Sequence, residues 1–177
     1  MTAVEIIHLE LGRLHTMLDR SLDGLSTEQL HAVPGNHPRA NTIAWVLWHV
    51  VRTEDNVVRF VLQNRRAPVW TDGGYAEKLG LPPIAQGTGM SSEDAHALRI
   101  KDVDLFRAYM RAVWASTDDF VAKTDAATLG KTITVKPLGE MPGIRALAQV
   151  CASHGMLHFG EIELARTLVG AGPVAGV

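Results

Sequence analysis

The sequence predicts an all-α protein, an antiparallel four-helix bundle with a long connection between the second and third helices, and two observations carry that expectation. Apolar residues recur every three or four positions in four long stretches, near 3–22, 42–64, 92–123 and 143–169, and these stretches open on helix-start signals. Packing four such helices together is the simplest way to bury four apolar stripes. With 177 residues, 46% of them hydrophobic and 20% charged, the chain suits one domain, taken as 1–177 with a small-residue tail at 170–177.

Thr2 and Glu5 have the spacing of a capping box, in which each side chain satisfies an unpaired backbone N–H of the other. The stripe Ile7, Leu11, Leu14, Leu18 and Leu22 follows, and Asp23-Gly24 stops the helix. Ser26 to Gln29 can cap a short turn of helix before Pro34, Gly35 and Pro38 break it. Asn41 is read as the N-cap of the second helix, with Ile43, Val46, Leu47, Val50, Val57 and Val61 facing inward and an end near Asn64. Pro68 to Met90 shows no clear period and is rich in Gly and Pro, so 65–91 is expected to be a long loop. Ser91 and Asp94 form a second capping box and start the third helix, whose inner face holds Leu98, Leu105, Tyr109, Val113 and Phe120 up to Lys123. Lys131 to Val135 alternates like a strand but is short, and is read as extended loop or a small hairpin. Pro142-Gly143 opens the fourth helix, with Leu147, Val150, Cys151, Leu157, Ala165 and Leu168 inward, and Gly170 closes it.

Charge and composition exclude several function classes. A net charge of −2 and a pI near 6.4 lack the basic excess that nucleic-acid phosphates demand, so no nucleic-acid partner is expected. No apolar run approaches the roughly 20 residues of a membrane span, and Met1 to Glu10 is acidic where a signal peptide is basic, so the expected location is cytoplasmic, with no membrane partner. Cys151 is the one cysteine, which leaves histidine and carboxylate to hold any metal.

The polar residues that interrupt the stripes carry the chemistry. Projected at about 100° per residue, His154, His158 and Glu161 fall in the middle of the fourth helix's apolar stripe, aligned with Leu147 and Ala165. Burying such groups without partners costs about 1–3 kcal/mol each, so something inside must satisfy them. A single inward histidine is more often a hydrogen-bonded core residue than a ligand, but two at i and i+4 bring both imidazoles to one point, as a metal site needs. A third ligand must come from another helix; His8, His15, His49 and Asp102 are the candidates, and on spacing His15 is preferred. Cys151 reads as a small core hydrophobe.

The segment Asn41-Thr42-Ile43-Ala44-Trp45-Val46-Leu47-Trp48-His49-Val50-Val51-Arg52-Thr53-Glu54-Asp55 resembles the second-helix signature of the DinB-like superfamily. His154-Gly155-Met156-Leu157-His158-Phe159-Gly160-Glu161-Ile162 resembles that family's fourth-helix signature. Gly24-Leu25-Ser26, Pro68-Val69-Trp70 and Leu79-Gly80-Leu81-Pro82 extend the resemblance over nearly the whole chain. It implies a metal triad of one histidine from the second helix and two ligands from the fourth, which map onto His49, His154 and His158 and displace His15. Glu161 is then placed to accept an imidazole N–H. The resemblance also implies a homodimer, for which the sequence shows no distinct patch.

Three ligands on a bundle leave coordination positions open, the arrangement of a catalytic site. Characterised relatives include transferases and isomerases that use mycothiol, bacillithiol or glutathione. The resemblance therefore implies a metal-dependent thiol S-transferase that joins a low-molecular-weight thiol to an electrophilic small-molecule substrate, with zinc or nickel as the divalent metal. Two alternatives stand beside it: a non-catalytic, stress-associated metal-binding module, and a metal-dependent hydrolase. Arg52, Arg59, Arg65 and Arg66 read as a solvated helix face, and Trp70 and Tyr75 read equally as the lining of a pocket mouth or as packing for the long loop.

Overall fold

The computed structural model describes residues 1–175 and is mostly helical. Helix α1 (Ala3–Arg20) opens on the expected capping box, Thr2 accepting from the Glu5 amide while Glu5 accepts from the Thr2 amide. Short α2 (Thr27–His31) has its own capping box between Ser26 and Gln29. Helix α3 begins as an α-helix (Ile43–Asp55) and continues as a π-helical segment (Asn56–Val61). Its N-cap is Thr42, not Asn41, because the Thr42 hydroxyl accepts from the Trp45 amide while the Asn41 amide turns toward Glu161.

The connection between the second and third long helices is not a structureless loop. It holds two short helices, α4 (Val69–Asp72) and α5 (Tyr75–Leu79), and their anchor is Asp55. The Asp55 carboxylate is buried and accepts from the amides of Val69 and Trp70 at 2.8 and 2.9 Å and from the Tyr109 hydroxyl at 3.1 Å. Arg52 lies 3.4 Å from the same carboxylate and its guanidinium sits over the Trp70 ring. Burial lifts the Asp55 carboxyl above its ordinary pKa, and these donors pull the other way.

The third long helix starts later than its capping signal suggests. Ser91 does cap a helix, but α6 (Ser92–Ala97) is one short piece, and α7 (Val103–Lys123) starts afresh on Asp102, whose side chain accepts from the Leu105 amide. Next come α8 (Ala126–Leu129) and a hairpin of β1 (Thr132–Val135) and β2 (Gly139–Pro142), paired antiparallel with Ile133 opposite Met141. The strand-like alternation after Lys131 is thus half of a hairpin.

Helix α9 (143–168) runs from a first turn Gly143–Arg145 through a π-helical stretch Ala146–Ser153 into the α-helix His154–Leu168. A π-turn closes i→i+5, so it delays the helix phase by about one residue relative to an α-helix. A straight projection from Leu147 is therefore out of phase beyond Ser153. The face actually buried is Gly155, Phe159, Ile162, Arg166 and, as expected, Ala165, whereas Leu157 and Leu168, expected inside, are exposed.

Long helices α1, α3, α7 and α9 each contact two others, α1 touching α7 and α9, and α3 touching the same pair. The core between them centres on Trp48, Trp70, Phe106 and Tyr109 at one end and on Leu11, Val57, Val121 and Leu147 at the other. Each such large buried side chain contributes about 1.5–3 kcal/mol of transfer free energy. No described helix is long and apolar enough to cross a membrane.

Candidate metal centre

His49 lies midway along α3, where every residue from Ile43 to Asp55 is buried. Trp45, one turn earlier, stacks on its ring at 4.9 Å between centroids and an interplanar angle of 14°. Nδ1 of His49 meets the backbone carbonyl of Gln86. A carbonyl only accepts, so Nδ1 carries the proton and Nε2 keeps a free lone pair. That lone pair faces α9, where His154 Nε2 is 3.3 Å away.

His158, one turn beyond His154, is set in the same way. Its Nδ1 lies 2.7 Å from Glu161 Oε2, and Asn41 Nδ2 donates to the other carboxylate oxygen at 2.9 Å. Glu161 thus accepts the hydrogen bond from Nδ1–H and leaves the His158 Nε2 lone pair free. Burial raises the Glu161 carboxyl, but the bonds from His158 and Asn41 outweigh it and hold the group below its usual pKa. The delayed phase of α9 puts His154 and His158 on the flank of the buried face, half-buried, rather than in its middle.

The three rings meet with centroids 4.5 to 5.1 Å apart, and one nitrogen from each lies within 4.8 Å of the others. Burial depresses the His49 pKa, partly offset by the Gln86 carbonyl. Burial and the neighbouring imidazoles of His158 and His49 bring His154 down to about 4. Near neutral pH these two rings are therefore uncharged, the form a metal requires. The chemistry of the donor set fits a divalent metal: His49 and His158 have their outer nitrogens committed to acceptors, as ligating histidines do. His154 Nδ1 is buried with no hydrogen-bond partner.

Above His49 and His154 opens a cleft of about 1470 Å³, walled by α3, the 84–90 segment, the hairpin and α9. Gly87 fits against the floor with φ +95°, and a Cβ there would stand 2.9 Å from both His49 Nδ1 and the Trp45 ring. Trp45 Nε1 reaches Met90 Sδ at 3.2 Å, which ties the same segment to α3.

The family profile of the DinB superfamily matches residues 10–162, a span that contains all three histidines. The chain belongs to the DinB superfamily. It is also similar in structure to a conserved protein from Enterococcus faecalis, with a TM-score of 0.82 and 19% identity over 96% of this chain and 99% of that one. At that identity the likeness speaks to the fold. No functionally curated protein matches the chain.

Within this DinB-superfamily protein the other sequence candidates lie elsewhere. His15 is buried at a separate centre, its Nε2 3.0 Å from Glu54 Oε2 and its ring stacked on Trp114, with Thr117 donating to the other Glu54 oxygen. His8 meets Asp118 at the surface, and Asp102 caps α7. Cys151 is a buried core residue whose thiol pKa is pushed well up by burial. Trp70 and Tyr75 pack on Tyr109 and secure the connection instead of lining the cleft. Arg52 and Arg59 are not solvated: both are buried, Arg52 against Asp55 and Arg59 against Asp72 at 2.8 Å. Sequence reasoning missed Gln86 and Gly87, and no signal could have found a backbone carbonyl 37 residues from its histidine. Asp55 and Glu54 were detectable as carboxylates in a helix otherwise rich in inward residues.

Proposed function

We propose that the chain is a single four-helix-bundle domain that holds one divalent transition metal, zinc or nickel, on His49, His154 and His158, and that it works as a thiol S-transferase. The observation that carries this reading is the convergence of three imidazole nitrogens, two of them from histidines, His49 and His154, that line a large open cleft. A metal there supplies Lewis acidity, which lowers the pKa of a thiol or water that reaches it. The protein's own contribution is orientation. Gln86 and Glu161 hold the Nδ1 protons of His49 and His158, Asn41 steadies Glu161, and Trp45 covers one face of His49.

In the transfer itself the thiol sulfur forms a bond to the electrophilic carbon, the leaving group departs with the electron pair of the bond it breaks, and the thiol proton passes to solvent. Glu161 is already engaged by two donors, so it orients His158 and does not serve as the base. The test uses the zinc- or nickel-loaded protein with mycothiol, bacillithiol or glutathione and 1-chloro-2,4-dinitrobenzene, which loses chloride. The expected result is thioether formation above the rate of the free thiol, lost in His154→Ala. Metal uptake without such a rate supports a non-catalytic metal-binding module, and p-nitrophenyl acetate turnover without thiol supports a hydrolase.

A further inference from the structure

Nine large apolar side chains are exposed among the described residues, and four of them rim the cleft over the histidines. Exposed apolar residues scattered singly need no explanation, but these converge from four separate parts of the chain onto one opening. Phe60 comes from the π-helical end of α3, Ile84 from the connection, Leu138 from the hairpin turn and Leu157 from α9. Ile84 is 89% and Leu157 77% exposed, values typical of side chains with nothing on them.

The charge of the cleft is as one-sided as its rim is apolar. The chain has 19 Asp and Glu residues and none of them lines the cleft, whereas Arg65 and Lys136 both do. Each cation stands beside a rim hydrophobe: the Arg65 amide donates to the Phe60 carbonyl at 2.8 Å, and Lys136 shares the hairpin turn with Leu138. The rest of the polar lining is neutral, with buried Thr53 and half-buried Asn41 and Asn56 beside His49 and His154. An apolar rim, flanking cations and a neutral polar lining match a molecule that is apolar along its length and negatively charged.

We propose that the substrate class of this cleft is an elongated amphiphilic anion, its apolar body between Phe60, Ile84, Leu138 and Leu157 and its negative charge met by Arg65 and Lys136. For its reacting end this rests on the reading of the histidines as the catalytic metal centre; for the rim it does not. The cleft's volume exceeds the 300–1,000 Å³ typical of small-molecule sites, which leaves room for a thiol and such a substrate together.

The test displaces the fluorophore 1-anilinonaphthalene-8-sulfonate from the metal-loaded full chain with octanoate, butanoate and octylammonium, and metal content is measured on the same samples. Octanoate is expected to compete at least about tenfold better than butanoate, because four more methylenes are buried, and also better than octylammonium. The double variant Leu138→Ser, Leu157→Ser changes exposed side chains only, so it should fold normally and lose most of the preference for octanoate over butanoate. Arg65→Glu with Lys136→Glu should lose the preference for octanoate over octylammonium. Octanoate binding that persists in protein unable to hold metal supports this inference while the metal reading fails. Metal binding with equal competition by octanoate and butanoate, or by octanoate and octylammonium, overturns it. So does a rim that joins two copies of the chain, seen as a dimer that Leu157→Ser converts to monomer and that excludes octanoate.

Discussion

Glu161 Oε2 lies 2.7 Å from His158 Nδ1, and this contact decides which nitrogen of His158 is free beside His49 and His154. Removing the carboxylate with Glu161→Ala frees the ring to rotate and to change tautomer. Metal affinity measured by competition with a chromogenic chelator is expected to fall about 10- to 100-fold, the usual effect of losing an acceptor behind a ligating histidine. Asn41→Ala, which removes only the bond that steadies Glu161, should cost less.

Gly87 occupies a position that a side chain cannot share with His49. Gly87→Ala combines a left-handed φ of +95° with contacts of 2.9 Å to His49 Nδ1 and Trp45, whereas Gly89→Ala, at φ +76°, meets nothing within 4 Å. Both variants carry the backbone strain of about 1–2 kcal/mol. Chemical denaturation should show that cost in each, and only Gly87→Ala should also lose metal affinity.

Asp55 fastens the connection that carries the cleft wall. Asp55→Ala leaves two buried amides and the Arg52 guanidinium without their acceptor, so a loss of about 3–5 kcal/mol in unfolding free energy is expected. Hydrogen exchange at the Val69 and Trp70 amides should accelerate ahead of the α1 and α7 core. Equal protection there in the variant and the parent would show that α4 and α5 are held by packing alone.

The lowered pKa of His154 makes the metal-free protein acid-sensitive in a defined window. The unfolded chain takes up this proton near pH 6.5 and the folded chain only near 4, so the unfolded state binds more protons between those values. Stability should fall as pH drops from 6.5 and level off near 4, with the depressed His49 adding in the same direction. Melting temperatures of chelator-treated protein across that range should decline, and His154→Ala should flatten the slope.

The parts of this molecule legible in sequence were those set by local chemistry. The capping boxes at Thr2 and Ser26 and the stripes Leu11, Leu14, Leu18 and Tyr109, Val113 follow from spacing alone, and the structure contains them. The start of α7 is not legible in the sequence, because Ser91 caps a real helix that ends after six residues and nothing local announces the restart at Asp102. Helix α9 defeats projection for a geometric reason: its π-helical stretch shifts the phase, so Leu157 turns outward and the histidines move to the flank. Helical spacing favours His15, on the inner stripe of α1, over His49, at the flank of the α3 stripe; the fold buries both, and sets His15 against Glu54 and His49 against His154. The family signature around Trp45 and His49 points to the histidine that the fold sets against His154. The buried ties of Asp55 and the Gln86 carbonyl span parts of the chain that no period relates.

Titration of zinc or nickel into tag-free, chelator-stripped protein, followed by calorimetry and by melting temperature, tests the metal centre most directly. The expected result is about one ion per chain and a melting temperature that rises with metal and falls back with chelator, since the ion ties α3 to α9. His49→Ala, His154→Ala and His158→Ala should each abolish that binding. His8→Ala and Cys151→Ala should retain it, and so should His15→Ala, which exposes Glu54 to the loss of its partner and lowers stability without touching the centre. One ion per chain retained in His49→Ala and lost in His15→Ala would contradict the account.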